Sequence, residues 1–236
     1  DRIGDEVNFS VPSGAFGNLF GGYLARSMGL PVNKFICANN ANQTLHTIFS
    51  SGVLAKKNLV QTISTAIDII VPYNFWRFLY YCTGSDSEKL KVWQDEFKSS
   101  GKVEFDAATL NAIQNGFMSV TVSDYETSKT IKDTFETCDG YLLDPHTAVA
   151  VAAANTLRDM LPKKMKVICL ATAHPAKFPE TTRACLNLGT EMPNQGKHVS
   201  LERVSKVCQH VRICDLENLE FALIDAMTTR LKMQAD

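Results

Sequence analysis

Three short runs in this chain set anion-binding backbone or exchangeable protons beside one another. The first is Ser13-Gly14-Ala15-Phe16-Gly17-Asn18. A glycine turn that opens a helix offers unpaired backbone N–H groups where the partial positive charge of the helix favours an anion. Neither G-x-G-x-x-G nor Gly-Lys-Ser/Thr is present, so the run is neither a dinucleotide fingerprint nor a P-loop. A glycine corner that binds nothing is the alternative. The second run is Asp144-Pro145-His146-Thr147, where His146 is either a proton carrier or a residue that caps and packs at a helix start. The third, Ala171 to Phe178, brings the hydroxyl of Thr172, the imidazole of His174 and the ammonium of Lys177 close together.

The elements around these runs predict how they are positioned. Val7 to Val11 alternates and stops at Pro12, as a strand does, and Phe16 to Met28 carries small and apolar residues at helical spacing up to Gly29. Lys34 to Asn40 reads as a second strand, followed by a helix over Gln43 to Ser51. Helices are expected at Asn74 to Cys82, Ser87 to Ser99, Asp106 to Phe117 and Asp124 to Cys138, with a strand at Ser119 to Ser123. An alanine-rich helix follows Asp144-Pro145, and "MKVICLATAHPAKF" reads as the strongest strand, breaking into a polar loop. This succession predicts an α/β fold, an open, mostly parallel sheet with helices on both faces, plus C-terminal helices. In such sheets ligands sit beyond the carboxyl ends of the strands, where all three runs fall. Residues 1–190 are expected to form the α/β domain and residues 191–236 a tail packed on it, with one or two helices between Leu201 and Lys232 and a short "HVRICD" run between them.

Twenty-four Lys and Arg against 25 Asp and Glu leave a net charge of −1, which gives no footprint for nucleic acid or an acidic membrane surface. No apolar run reaches the roughly 20 residues that span a bilayer. The seven cysteines (Cys37, Cys82, Cys138, Cys169, Cys185, Cys208, Cys214) are odd in number and lack a C-x-x-C pair, so reduced thiols and a cytoplasmic location are expected. Cys208, His210 and Cys214 lack a fourth matched ligand, and no metal site is read there.

The runs "VPSGAFGN", "STAIDIIVPYNFWR", "LDPHTAVAV" and "ATAHPAKF", in this order, resemble the C-terminal half of threonine synthase and the animal threonine synthase-like proteins, fold-type II enzymes that use pyridoxal 5'-phosphate. The resemblance extends to about Leu188. It implies that Gly14, Ala15, Phe16, Gly17 and Asn18 cradle the cofactor phosphate and that Thr172 meets the pyridine nitrogen. It also places Asp68, Asn74, Arg77, His146, His174 and Lys177 as candidate substrate-binding residues. Ala15 stands where the family commonly has Asn, and Asn74-Phe75-Trp76-Arg77 replaces the commoner N-F-E-R; both lean towards the animal-like branch.

Nothing in the 236 residues matches the family's Schiff-base lysine motif, so that lysine is expected upstream, in an N-terminal half of the same polypeptide. No catalytic residue is therefore assigned within the chain. The implied function is the C-terminal part of a pyridoxal-phosphate lyase that eliminates phosphate from a small phosphorylated amino acid such as O-phosphohomoserine, ending in threonine or 2-oxobutanoate. A non-catalytic binding or signalling protein of threonine synthase-like type is the alternative. The chain expressed alone is expected to expose apolar surface and to aggregate or stay partly unfolded.

Overall fold

In β1 (Val7–Pro12), polar Asn8 and Ser10 alternate with Val7, Phe9 and Val11, yet Asn8 and Ser10 are fully buried. The reason is position. In the computed structural model, which describes residues 4–208 and 211–233, β1 lies inside a four-stranded sheet. Its neighbours are β2 (Val32–Asn39), reached through α1 (Gly17–Ser27), and a late strand described below. Ser10 is satisfied by donating from Oγ to the Ala150 carbonyl at 2.6 Å, and Asn8 by donating from Nδ2 to the Lys166 carbonyl at 3.3 Å.

After β2 the chain forms α2 (Thr44–Ser51), the short β3 (Val53–Ala55), α3 (Phe75–Cys82), α4 (Ser87–Ser100) and β4 (Lys102–Glu104). There follow α5 (Ala107–Gln114), β5 (Phe117–Thr121), α6 (Asp124–Thr137), α7 (Pro145–Thr156), β6 (Val167–Cys169) and α8 (Pro179–Leu186). The sheet order is β5-β2-β1-β6 with every pairing parallel; Phe9 pairs with Phe35, Ser10 with Cys169 and Cys37 with Ser119. The fold is thus α/β with an open parallel sheet. A separate two-stranded antiparallel pair joins β3 to β4 and sets Leu54 opposite Val103.

Strand alternation distributes β2 between two cores. Phe35 and Cys37 enter one with Phe16, Leu19, Phe49, Phe75, Phe78 and Phe117, whereas Ile36 and Ala38 enter the other with Val149, Ala152 and Ala153 of α7. Helices therefore cover both faces, as a parallel sheet requires. The alanines of α7 let its backbone approach the sheet closely enough for Ala150 to accept from Ser10.

β6 is shorter than its apolar run predicts. Only Val167–Cys169 pairs, and only with β1, so among the described residues β6 is an edge strand and Ile168 is 42% exposed. The chain divides into two compact units, Asp1–His198 and Val199–Asp236. The second contains α9 (Val199–Ser205) and α10 (Leu219–Met233), with Arg212 paired to Asp225 at 2.6 Å. His210, and with it the start of the "HVRICD" run, lies outside the described residues. No helix among the described residues is long and apolar enough to cross a membrane.

Candidate functional site

β1 ends at Pro12 and α1 begins at Gly17, so the glycine loop must reverse the chain within four residues. Phe16 makes the turn. It occupies the left-handed region at φ 67°, unusual for a residue with a Cβ, which costs on the order of 1 kcal/mol or more. Its ring offsets that cost: it is fully buried, with ring centroids 5.2 Å from Phe75 and Phe78. No side chain caps α1, leaving its first N–H groups to an outside acceptor. The loop is further tied by the Ser13 N–H donating to Ala38 at 2.9 Å, by Asn39 Nδ2 donating to the Ser13 carbonyl at 2.8 Å, and by the Asn74 N–H donating to Ala15 at 3.1 Å.

The loop forms one wall of a cleft of about 360 Å³ that also takes in Ala66, Ile67, Ile69, Asn74, His146, Thr172 and Lys177. Close approach bears on two glycines, most strictly on Gly14, which meets backbone. A Cβ on Gly14 would stand 2.7 Å from the Ile67 carbonyl oxygen, and one on Gly17 would stand 3.1 Å from Asn74 Nδ2.

The adjoining segment, residues 64–69, of which Ala66, Ile67 and Ile69 line the cleft, is held from two sides. Asp144 is the N-cap of α7 and accepts from the His146 and Thr147 N–H groups, with Pro145 at the first helical position. His146 Nε2 accepts the Ala66 N–H at 2.9 Å, so the ring proton sits on Nδ1 and is donated to Asp144 Oδ1 at 3.0 Å. Burial pushes the Asp144 carboxyl up, but hydrogen bonds from the side chains and backbone N–H groups of His146 and Thr147 outweigh it and hold the group below its ordinary value. On the other side Asp68 accepts from Asn40 Nδ2 (2.7 Å), Asn42 Nδ2 (2.9 Å), Thr62 Oγ1 (2.7 Å) and the Thr62 N–H (3.0 Å).

Of the residues singled out in the sequence, the glycine loop, Asn74, His146, Thr172 and Lys177 come together around the cleft. Asp68, Arg77 and His174 do not line it. Asp68 is consumed by its own network, and Arg77 is exposed on α3 with Nη1 donating to Asn74 Oδ1. His174 Nδ1 accepts the Ala176 N–H at 3.1 Å and faces a neighbouring hollow of about 320 Å³ lined also by Tyr141, Asp144 and Gln195. His146 lines the cleft with both ring nitrogens engaged inside the protein. The sequence reading missed Ala66, Ile67 and Asn40. The first two contribute backbone, which residue type does not reveal; Asn40, in the polar run Asn39-Asn40-Ala41-Asn42 at the end of β2, carried a visible signal.

A family model described as "Threonine synthase, C-terminal" matches residues 147–221. Threonine synthase from Pseudomonas aeruginosa is 42% identical over 174 residues, which are 74% of this chain and 36% of that protein. The crystal structure of threonine synthase from yeast is similar with a TM-score of 0.85 at 32% identity, covering 95% of this chain and 48% of the yeast chain. Threonine synthase from Brucella melitensis, in a structure with pyridoxal phosphate bound, gives a TM-score of 0.74 at 36% identity, covering 80% of this chain and 40% of the other. The chain thus spans less than half the length of each of these proteins. In sequence and in fold it belongs to the threonine synthase family, whose C-terminal portion it matches.

Proposed function

We propose that this chain is the C-terminal part of a pyridoxal-phosphate-dependent carbon–oxygen lyase acting on a phosphorylated amino acid such as O-phosphohomoserine, with the cleft as its cofactor site. The observation that carries this reading is the approach of Gly14 to the Ile67 carbonyl, where a Cβ would stand at 2.7 Å, beside an uncapped helix N-terminus. A phosphate dianion needs several N–H donors, and the uncapped first turn of α1 offers them at the cleft, while glycine at position 14 lets the loop pack directly against the Ile67 carbonyl. The parallel sheet with helices on both faces fits the large domain of the fold-type II enzymes.

The residues present fit the group. Gly14 to Asn18 would hold the phosphate, and Thr172, across the same cleft, would meet the pyridine nitrogen. Bound there, pyridoxal phosphate supplies an electron sink for removing phosphate from the substrate. A Thr172 hydroxyl at the pyridine nitrogen would not hold a proton on the ring as a carboxylate would, which would suit the site to elimination and replacement. Lys177, exposed at the cleft, offers a cation to a substrate phosphate. The Schiff-base lysine is assigned to a part of the protein outside these residues, and Lys177 is not given that role.

The test is the polypeptide purified from its own cells. A product well above 26.1 kDa with a visible cofactor band that releases inorganic phosphate from O-phosphohomoserine is expected. A product of 26.1 kDa with neither property would overturn the lyase reading in favour of a non-catalytic binding protein.

A further inference from the structure

Asn74 stands at the N-terminus of α3 and on the rim of the cleft, and its side chain is used on one side only. Oδ1 accepts from Arg77 Nη1, one turn further along the helix. An amide whose oxygen is claimed must turn its NH2 group the other way, and Asn74 Nδ2 accordingly lies against Gly17, 3.1 Å from where a Cβ would be. The Asn74 N–H donates to the Ala15 carbonyl at 3.1 Å, fixing the same residue to the loop by its backbone. Among the described residues Nδ2 has no acceptor, and it lies beside Gly17, the first residue of α1, whose N-terminus no side chain caps.

The geometry points to Asn74 as a side-chain donor to the anion held by the glycine loop, and to Arg77 as the positioning residue that sets its amide. This rests on the reading of the cleft as a phosphate site. It departs from a direct clamp by Arg77: the guanidinium is exposed and absent from the cleft lining, and acts through Asn74. Without Arg77 the amide is free to flip, and half of its orientations set a carbonyl oxygen towards the anion.

The experiment is a double-mutant cycle on the affinity of the protein for inorganic phosphate and for pyridoxal 5'-phosphate, measured by calorimetry at fixed ionic strength. Arg77→Met is expected to weaken binding about tenfold, the scale of one hydrogen bond to a charged group. Arg77→Gln retains an N–H donor for Asn74 Oδ1 without the charge and should stay within about threefold of the wild type. In the Asn74→Ala background, Arg77→Met should change nothing further. Asn74→Asp, which aims a carboxylate at the anion, should abolish binding. Equal losses in Arg77→Gln and Arg77→Met, or an undiminished Arg77→Met effect in the Asn74→Ala background, would overturn the relay and leave the phosphate site standing. Failure of the wild type to bind either ligand would overturn both.

Discussion

His146 and Ala66, 80 positions apart, are joined by a single hydrogen bond of 2.9 Å in which the imidazole Nε2 is the acceptor. This bond ties the N-terminus of α7 to the loop whose Ile67 carbonyl closes over Gly14. It also fixes the tautomer, since Nδ1 must then carry the proton given to Asp144. His146 is thus a structural tie in the cleft wall, with neither ring nitrogen free for a substrate. His146→Leu removes one of the four donors to the buried Asp144 carboxylate and leaves the Ala66 N–H without its acceptor, and should cost about 2–3 kcal/mol. Urea denaturation measures the loss, and hydrogen exchange at Ala66 should accelerate with it.

Asp144 gives the account a pH dependence. Its carboxyl lies below its ordinary value in the folded protein, despite burial, because four donors from His146 and Thr147 favour the anion. A depressed folded value stabilises the protein above the unfolded value, and that contribution disappears as pH falls through the folded one. The stability advantage of wild type over Asp144→Asn should therefore be constant above about pH 5 and shrink from about pH 4 downward. Denaturation curves across that range check the sign; an advantage that grows on acidification would contradict it.

Phe16 combines a left-handed backbone with a fully buried ring. Phe16→Ala keeps the strained conformation and removes the aromatic contacts that hold it, so a loss of about 3–5 kcal/mol is expected from calorimetric melting. The size of this effect tests whether the aromatic core shapes the glycine loop.

Asp68 is an anchor of the 60–68 loop, with its oxygens engaged by Asn40, Asn42 and Thr62. Asp68→Ala strands those donors and should destabilise the protein by about 3 kcal/mol. In Asp68→Asn, the new NH2 group faces donors and should recover little of that. A recovery of nearly all the stability would show that the network does not depend on the charge.

How far the sequence reached follows from the kind of signal each feature carries. Asp144-Pro145 announced α7 because a cap and a first-turn proline act locally, and the glycine loop stood out between a strand and a helix. β3 and β4 were not read: three residues hold too few alternations, and their partners lie some 50 positions apart. β6 was overread because apolar content reports burial without reporting how many residues find a partner strand. At the site, the family resemblance named Asp68 and Arg77, but whether a carboxylate faces a cleft or a ring of amides depends on packing that no spacing encodes. The same holds for His146, chosen as a chemical group and used as a tie.

The claim that the glycine loop holds a cofactor phosphate is tested most directly by titrating the protein with pyridoxal 5'-phosphate and following its phosphorus resonance, in the wild type, Gly14→Ala and Gly17→Ala. The account predicts saturable binding by the wild type and a loss of at least about tenfold in Gly14→Ala, where the new methyl meets a backbone carbonyl. Gly17→Ala should lose less, because the Asn74 amide it meets can give way. Unchanged affinity in a folded Gly14→Ala protein, or no perturbation of the resonance by the wild type, would contradict it.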